Sequence, residues 1–196
     1  MEIDFYFGLG SRYSYLAFTQ IEKLEAKHDC RFMLHPLSSI ELMELRGVSP
    51  FEGAPVSGQY DWTFRRRDAE MWADHYAVPF VEPAGLPKDH RLMARACHAA
   101  GQQDALRGYS RSMFAAVFAE GKVVDEAECI QAASKQGIDA GRFELDLQSA
   151  AIDREVTATA IRAFERGAFG VPTLFVGDEM IWGNDRLVLV DHLLAK

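Results

Sequence analysis

Residues 169–186 read FGVPTLFVGDEMIWGNDR. A Gly170-Val171-Pro172-Thr173 turn opens directly into the strand Thr173–Val176. A two-residue turn, Gly177-Asp178, leads back into a second strand, Glu179–Trp182. Proline cannot donate to a strand ladder, so Pro172 at the head of a strand belongs at an edge, at a bulge or in a cis turn. A cis Val171–Pro172 bond would leave the Val171 amide and carbonyl pointing outward, free to pair with an extended peptide. The plainer alternative is an ordinary hairpin entered through a proline.

At the other end of the chain, Ile3–Phe7 is a short aromatic and apolar run that reads as a buried strand. It breaks at Gly8-Leu9-Gly10 and resumes at Ser11 as a helical pattern, with Tyr15, Leu16, Phe18, Ile21 and Leu24 as its apolar stripe, ending near His28. Arg31–His35 is a second strand, stopped by Pro36. Strand, helix and strand in this order form a βαβ unit, whose crossover is right-handed and whose strands are parallel.

Between Ser38 and Ser149 strand-like runs become rare. Helical patterns cover Ser57–Val78 (with Trp62, Phe64, Met71, Trp72 and Tyr76), Arg91–Gln102, Tyr109–Glu120, Glu126–Gly137 and Gly141–Ser149. The loop 44–58, rich in Gly and Pro, is long for a compact domain, and such loops are often functional or mobile. A long helix is expected over Asp153–Gly167 and a last one from Asp185 to Leu194. The two ends together give β-α-β and then α-β-β-α, each half too small to bury a sheet face alone. The expected fold is therefore α/β: a thioredoxin-like domain built from 1–37 and 153–196, interrupted by an all-helical insertion, 38–152.

The 196 residues are 48% hydrophobic and 26% charged, the balance of an ordinary soluble globular protein. A formal charge of −8 argues against nucleic acid as the main partner, because phosphate binding needs a basic face. No apolar run approaches the length needed to cross a bilayer, and the start, MEIDFYFGLG, has no basic region of the kind that opens a secretory signal. A cytoplasmic location is expected. Cys30, Cys97 and Cys129 are far apart, so neither a disulfide framework nor a zinc site is expected. His35, His75, His90 and His98 show no metal spacing, and no metal is expected.

In such a scaffold the loop after the first strand meets the proline turn at the carboxyl end of the sheet, where open α/β sheets hold ligands. Ser11 falls at the start of the first helix. One role is a plain N-cap. The other is a hydroxyl aimed at a bound anion such as a thiolate, aided by the positive helix end. Trp62, Phe64, Trp72 and Tyr76 read mostly as core, with one or two available to line an aromatic pocket. The triplet Arg65-Arg66-Arg67 reads as a solvated helix face for at least two of its members.

The stretches DFYFGLGSRYSYLA and FGVPTLFVGDEMIWGNDR, with Trp72-Ala-Asp-His-Tyr-Ala-Val-Pro-Phe between them, resemble the 2-hydroxychromene-2-carboxylate isomerase family. That family belongs with the kappa-class glutathione transferases in the DsbA-like thioredoxin superfamily. The resemblance implies a DsbA-like fold, a homodimer, glutathione as cofactor and a small aromatic substrate. It implies that Ser11 replaces the redox cysteine and holds the glutathione sulfur as thiolate. It assigns Val171, before Pro172, to backbone pairing with the cysteinyl part, and Asn184 and Asp185 to the γ-glutamyl end. An N-cap role on the last helix is compatible with that assignment. Arg65, and with it Trp72, are candidates for contact with glutathione or substrate.

Two departures stand out. The family commonly has Ser-Pro, whereas Arg12 follows Ser11 here, a cation either for a substrate carboxylate or, as a lone arginine more often is, in solvent. Gly8 stands where the family has aspartate, and Gly8 and Gly10 leave room beside the site. The implied activity is a glutathione-dependent isomerisation. A kappa-like transferase and a binding protein without turnover are the alternatives. Disulfide exchange is disfavoured, because Ser11-Arg12-Tyr13-Ser14 contains no sulfur.

Overall fold

The computed structural model describes residues 1–47, 61–83 and 89–196. Most of the long loop expected over 44–58 lies outside the described residues. Strand β1 (Glu2–Phe7) leads into helix α1 (Arg12–His28) and strand β2 (Arg31–Pro36). β1 and β2 pair in parallel, with Ile3 opposite Phe32, as the βαβ pattern requires. The sheet order is β2-β1-β3-β4, with β3 (Thr173–Val176) and β4 (Glu179–Trp182) antiparallel to their neighbours. The expected hairpin is present, with Gly177 in the left-handed region at φ 62°.

Alternation along β1 sends side chains to two faces. Ile3, Phe5 and Phe7 join the larger core, where Phe7 and Phe18 both pack on Phe114 of the insertion. Tyr6 points the other way, stacking on His35 and meeting Phe175 edge-on in a smaller cluster.

Among the described residues, seven α-helices lie between β2 and β3: α2 (Ser39–Leu45), α3 (Trp62–Tyr76), α4 (His90–Gly101), α5 (Leu106–Phe118), α6 (Glu126–Lys135), α7 (Ala140–Leu147) and α8 (Ala150–Glu165). The sequence pattern assigns no separate helix to α2, which Ser38 caps by accepting from the Glu41 amide. Helix α8 starts earlier than the expected Asp153 because Ser149 accepts from the Ile152 amide, 3.1 Å away. Arg91 joins three helices: it reaches Asp153 at 2.9 Å, Glu41 at 2.6 Å and Thr157 at 3.0 Å.

The last helix differs from expectation. Asn184–Arg186 form a 3₁₀ turn, and α9 covers only Leu187–Leu194. Neither Asn184 nor Asp185 caps it. No helix of the described residues is long and apolar enough to cross a membrane. Among the same residues no three His, Cys, Asp or Glu side chains come together as a metal site.

Candidate active site

The loop after β1 and the turn before β3 meet at one end of the sheet and open a cleft of about 940 Å³. Ser11, Arg12, Arg65, Trp72, Val171, Pro172, Asn184 and Asp185 all line it. The eight positions singled out in the sequence are thus brought together.

Ser11 is the N-cap of α1. Its backbone is extended, at φ −100° and ψ 116°, and its Oγ accepts from the Ser14 amide at 3.2 Å. The cap role is therefore real, yet it uses only an acceptor lone pair. A hydroxyl carries one donor and two acceptor sites, so the Ser11 O–H stays available to an anion. The α1 amides and helix dipole favour negative charge at the same spot.

Across the cleft the Val171–Pro172 bond is cis. Thr173 Oγ1 donates to the Gly170 carbonyl at 2.7 Å, and the Gly183 amide donates to the Pro172 carbonyl at 3.0 Å. No hydrogen bond among the described residues engages the Val171 amide or carbonyl. Gly183 has φ 99°, a backbone conformation that favours glycine, and the Asp185 carboxylate occupies the space a Cβ would take. Asn184 is 2% exposed, and its Nδ2 has no hydrogen-bond partner among the described residues. Its carbonyl accepts from Tyr76 of α3 at 3.0 Å. Asp185 is exposed beside Arg186.

Arg12 departs from the expectation of a solvent-facing cation. It is 5% exposed, with Nη2 2.7 Å from Glu82 and its guanidinium 5.3 Å from the centre of the Trp62 ring. One contact leaves both partners incomplete: Arg12 Nη1 and Glu82 Oε2 are buried without hydrogen-bond partners among the described residues. Burial lowers the Arg12 pKa, with Glu82 opposing, and raises that of Glu82, with Arg12 opposing. Desolvation outweighs attraction on both sides, as expected of a single-contact buried pair.

Helix α3 also corrects the sequence reading. Trp62 and Phe64 are 45% and 53% exposed and face the cleft, whereas Ala69 and Ala73 are the buried residues. Arg65 lies over both Tyr13 and Trp62. Arg66 pairs with Glu70 on the exposed face, and Arg67 is exposed.

The room expected beside Gly10 is filled. A Cβ on Gly10 would stand 2.7 Å from His90 Cε1, so the imidazole packs directly on the loop preceding Ser11. His90, considered in the sequence only as a metal ligand, lines the cleft and meets the Ser39 hydroxyl at 3.1 Å. No linear pattern marks either residue. Cys97 and Cys129 are buried away from the cleft, their thiols pushed up to about 12 mainly by burial.

Comparison with known proteins gives a consistent result. A family model described as a DSBA-like thioredoxin domain matches residues 2–195. The chain is 32% identical to the 2-hydroxychromene-2-carboxylate isomerase of Pseudomonas putida, covering 100% of this chain and 95% of the relative. It is 29% identical to the corresponding isomerase of Sphingobium xenophagum, over 98% and 97% of the two chains. A solved structure of a 2-hydroxychromene-2-carboxylate isomerase superposes with a TM-score of 0.88 at 30% identity, covering 100% of this chain and 95% of the other.

Proposed function

The chain belongs to the DSBA-like thioredoxin domain family and, within it, to the 2-hydroxychromene-2-carboxylate isomerases, and from that membership we propose that it is a glutathione-dependent isomerase of 2-hydroxychromene-2-carboxylate or a related aromatic intermediate. The observation that carries this reading is Ser11 at the start of α1 in one cleft with the Val171–Pro172 turn. A hydroxyl stands there with no cysteine in the cleft, which favours holding a sulfur anion over exchanging a disulfide.

The residues present suit glutathione. Among the described residues, Ser11 keeps an O–H to donate, Val171 keeps its backbone groups, and Asn184 holds a buried amide without a partner. Ser11 and the α1 amides would stabilise the thiolate, Val171 would pair with the cysteinyl backbone, and Pro172 would shape that turn. Asn184 and Asp185 would take the γ-glutamyl carboxylate and ammonium groups. When bound, glutathione would supply a nucleophile that adds reversibly to a conjugated carbon, so that a double bond turns as a single one.

Further residues of the cleft suit an aromatic acid. Trp72 offers a ring face, and Arg65, which lies over Trp62, offers a cation. Arg12 contributes Nη1, unpartnered among the described residues, which a substrate carboxylate would complete. Glutathione use and the free thiols Cys30, Cys97 and Cys129 support a reducing, cytoplasmic location. A homodimer is proposed from family membership, and light scattering measures it.

The deciding experiment incubates the protein and glutathione with 2-hydroxychromene-2-carboxylate and, separately, with a halogenated aromatic. Isomerisation of the first, absent when glutathione is withheld, is expected. Conjugation of the second alone would make the protein a kappa-like transferase. Absence of both reactions, with no heat of glutathione binding in calorimetry, would remove both enzyme readings.

A further inference from the structure

Opening a cyclic hemiketal moves a proton. The ring C–O bond breaks and its electron pair goes to the phenolic oxygen. The hydroxyl O–H bond breaks and its pair forms the ketone C=O. One proton leaves the hydroxyl and one arrives at the phenolic oxygen. A group that accepts and returns a proton near neutral pH serves both halves.

Few groups in the cleft can do so. The guanidinium groups of Arg12 and Arg65 carry N–H donors and no acceptor. Tyr13 donates to Asp68 at 2.7 Å, and its hydroxyl is pushed up to about 12, chiefly by burial. Asp61 is engaged in capping α3 through the Phe64 amide. Asp185 is exposed beside Arg186.

His90 remains. It is the first residue of α4, lines the same cleft as Ser11, and packs its Cε1 edge against Gly10. Its Nδ1 lies 3.1 Å from Ser39 Oγ, whereas Nε2 has no hydrogen-bond partner among the described residues. We propose that His90 carries this proton through Nε2, and that Ser39 positions it by accepting from Nδ1–H, which leaves the basic lone pair on Nε2. This assignment rests on the isomerase reading above.

The surroundings favour the neutral imidazole, whose unprotonated nitrogen can accept a proton. Burial depresses its pKa and Asp89 opposes, while the α4 N-terminus adds a positive potential. From α2 the charged group near Ser39 is Glu41, which Arg91 holds at 2.6 Å. Gly10 and Ser11 bring no charge, and Arg12 is paired with Glu82.

The test combines spectroscopy with kinetics. In the wild-type protein, side-chain ¹⁵N spectra should show neutral His90 protonated on Nδ1; protonation on Nε2 would overturn the assignment, whatever any variant does. His90→Asn should lower kcat with 2-hydroxychromene-2-carboxylate and glutathione about 100-fold and remove the acidic limb of the kcat–pH profile. Glutathione binding measured by calorimetry should stay within about twofold, since the variant leaves the thiol site intact. Ser39→Ala should shift His90 toward the Nε2–H tautomer and lower kcat with KM little changed, and Ser39→Thr should restore both. Wild-type turnover with His90→Asn within about threefold of it would remove His90 while leaving the isomerase reading intact. A wild-type protein that binds glutathione without isomerising the substrate would remove the isomerase reading and the proposal with it.

Discussion

The Tyr76 hydroxyl donates a 3.0 Å hydrogen bond to the carbonyl of Asn184, joining helix α3 of the insertion to the turn that follows β4. Tyr76 is itself packed against Trp72, with ring centres 5.3 Å apart. The insertion therefore contributes to the cleft twice: Trp72 lines it, and Tyr76 holds the turn that carries Asn184. Tyr76→Phe should cost about 1 kcal/mol of stability and loosen that turn. Thermal denaturation and glutathione calorimetry measure the two effects, and an unchanged affinity would show that the turn holds its place without α3.

Asn184→Ala separates folding from binding. The Nδ2 of Asn184 is already buried without a partner among the described residues, so its removal should change ligand-free stability by less than about 1 kcal/mol. The rise in Tm caused by saturating glutathione should shrink markedly, because the amide's binding contribution is gone. Equal Tm rises in both proteins would exclude Asn184 from the glutathione site.

Ser11→Ala removes a cap and an anion donor together. Loss of the cap should cost about 1 kcal/mol, read from denaturant melts. The thiol pKa of bound glutathione should rise, read from thiolate absorbance against pH. An unchanged pKa would reduce Ser11 to a helix cap.

The Arg12–Glu82 pair invites a double-mutant cycle. Arg12→Met alone leaves the Glu82 carboxylate buried and unpaired, and should cost about 3 kcal/mol. Combined with Glu82→Leu, much of that loss should return, since removing both charges ends the desolvation penalty. Additive losses would show the two side chains to be independent.

His98 predicts an acid-side loss of stability. Burial lowers its pKa below the ordinary 6.5, against opposing effects from the hydrogen bond to the Pro36 carbonyl and from Glu155, while Arg162 and His35 lower it further. A depressed histidine binds protons more readily unfolded than folded. Its contribution is present in full above about 6.5 and is lost as pH falls through the folded-state value. His98→Gln should flatten the fall of Tm with pH in that window. An unchanged slope would place the titrating group elsewhere.

The βαβ unit at 3–36 and the hairpin at 173–182 are legible in the sequence because their signals are local. Glycine breaks, a two-residue turn and short apolar runs specify strand and helix without reference to distant residues. The same locality explains the error at 184–186: an Asn-Asp pair before an apolar run looks like a cap, yet it forms a 3₁₀ turn whose side chains cap nothing. On α3, aromatic spacing reveals a helix but not which face is covered, and small Ala69 and Ala73 pack inward while Trp62 and Phe64 face the cleft.

By itself, then, the sequence determined the thioredoxin-like order, the resemblance to the isomerases and the set of positions that converge on one cleft. Only the tertiary structure decided how those positions are electrostatically coupled. It buried Arg12 against Glu82, placed His90 on Gly10 and suspended Asn184 from Tyr76. Each of these pairs joins separate elements. Their energies depend on burial and on distances of about 3 Å, which no spacing along a chain encodes.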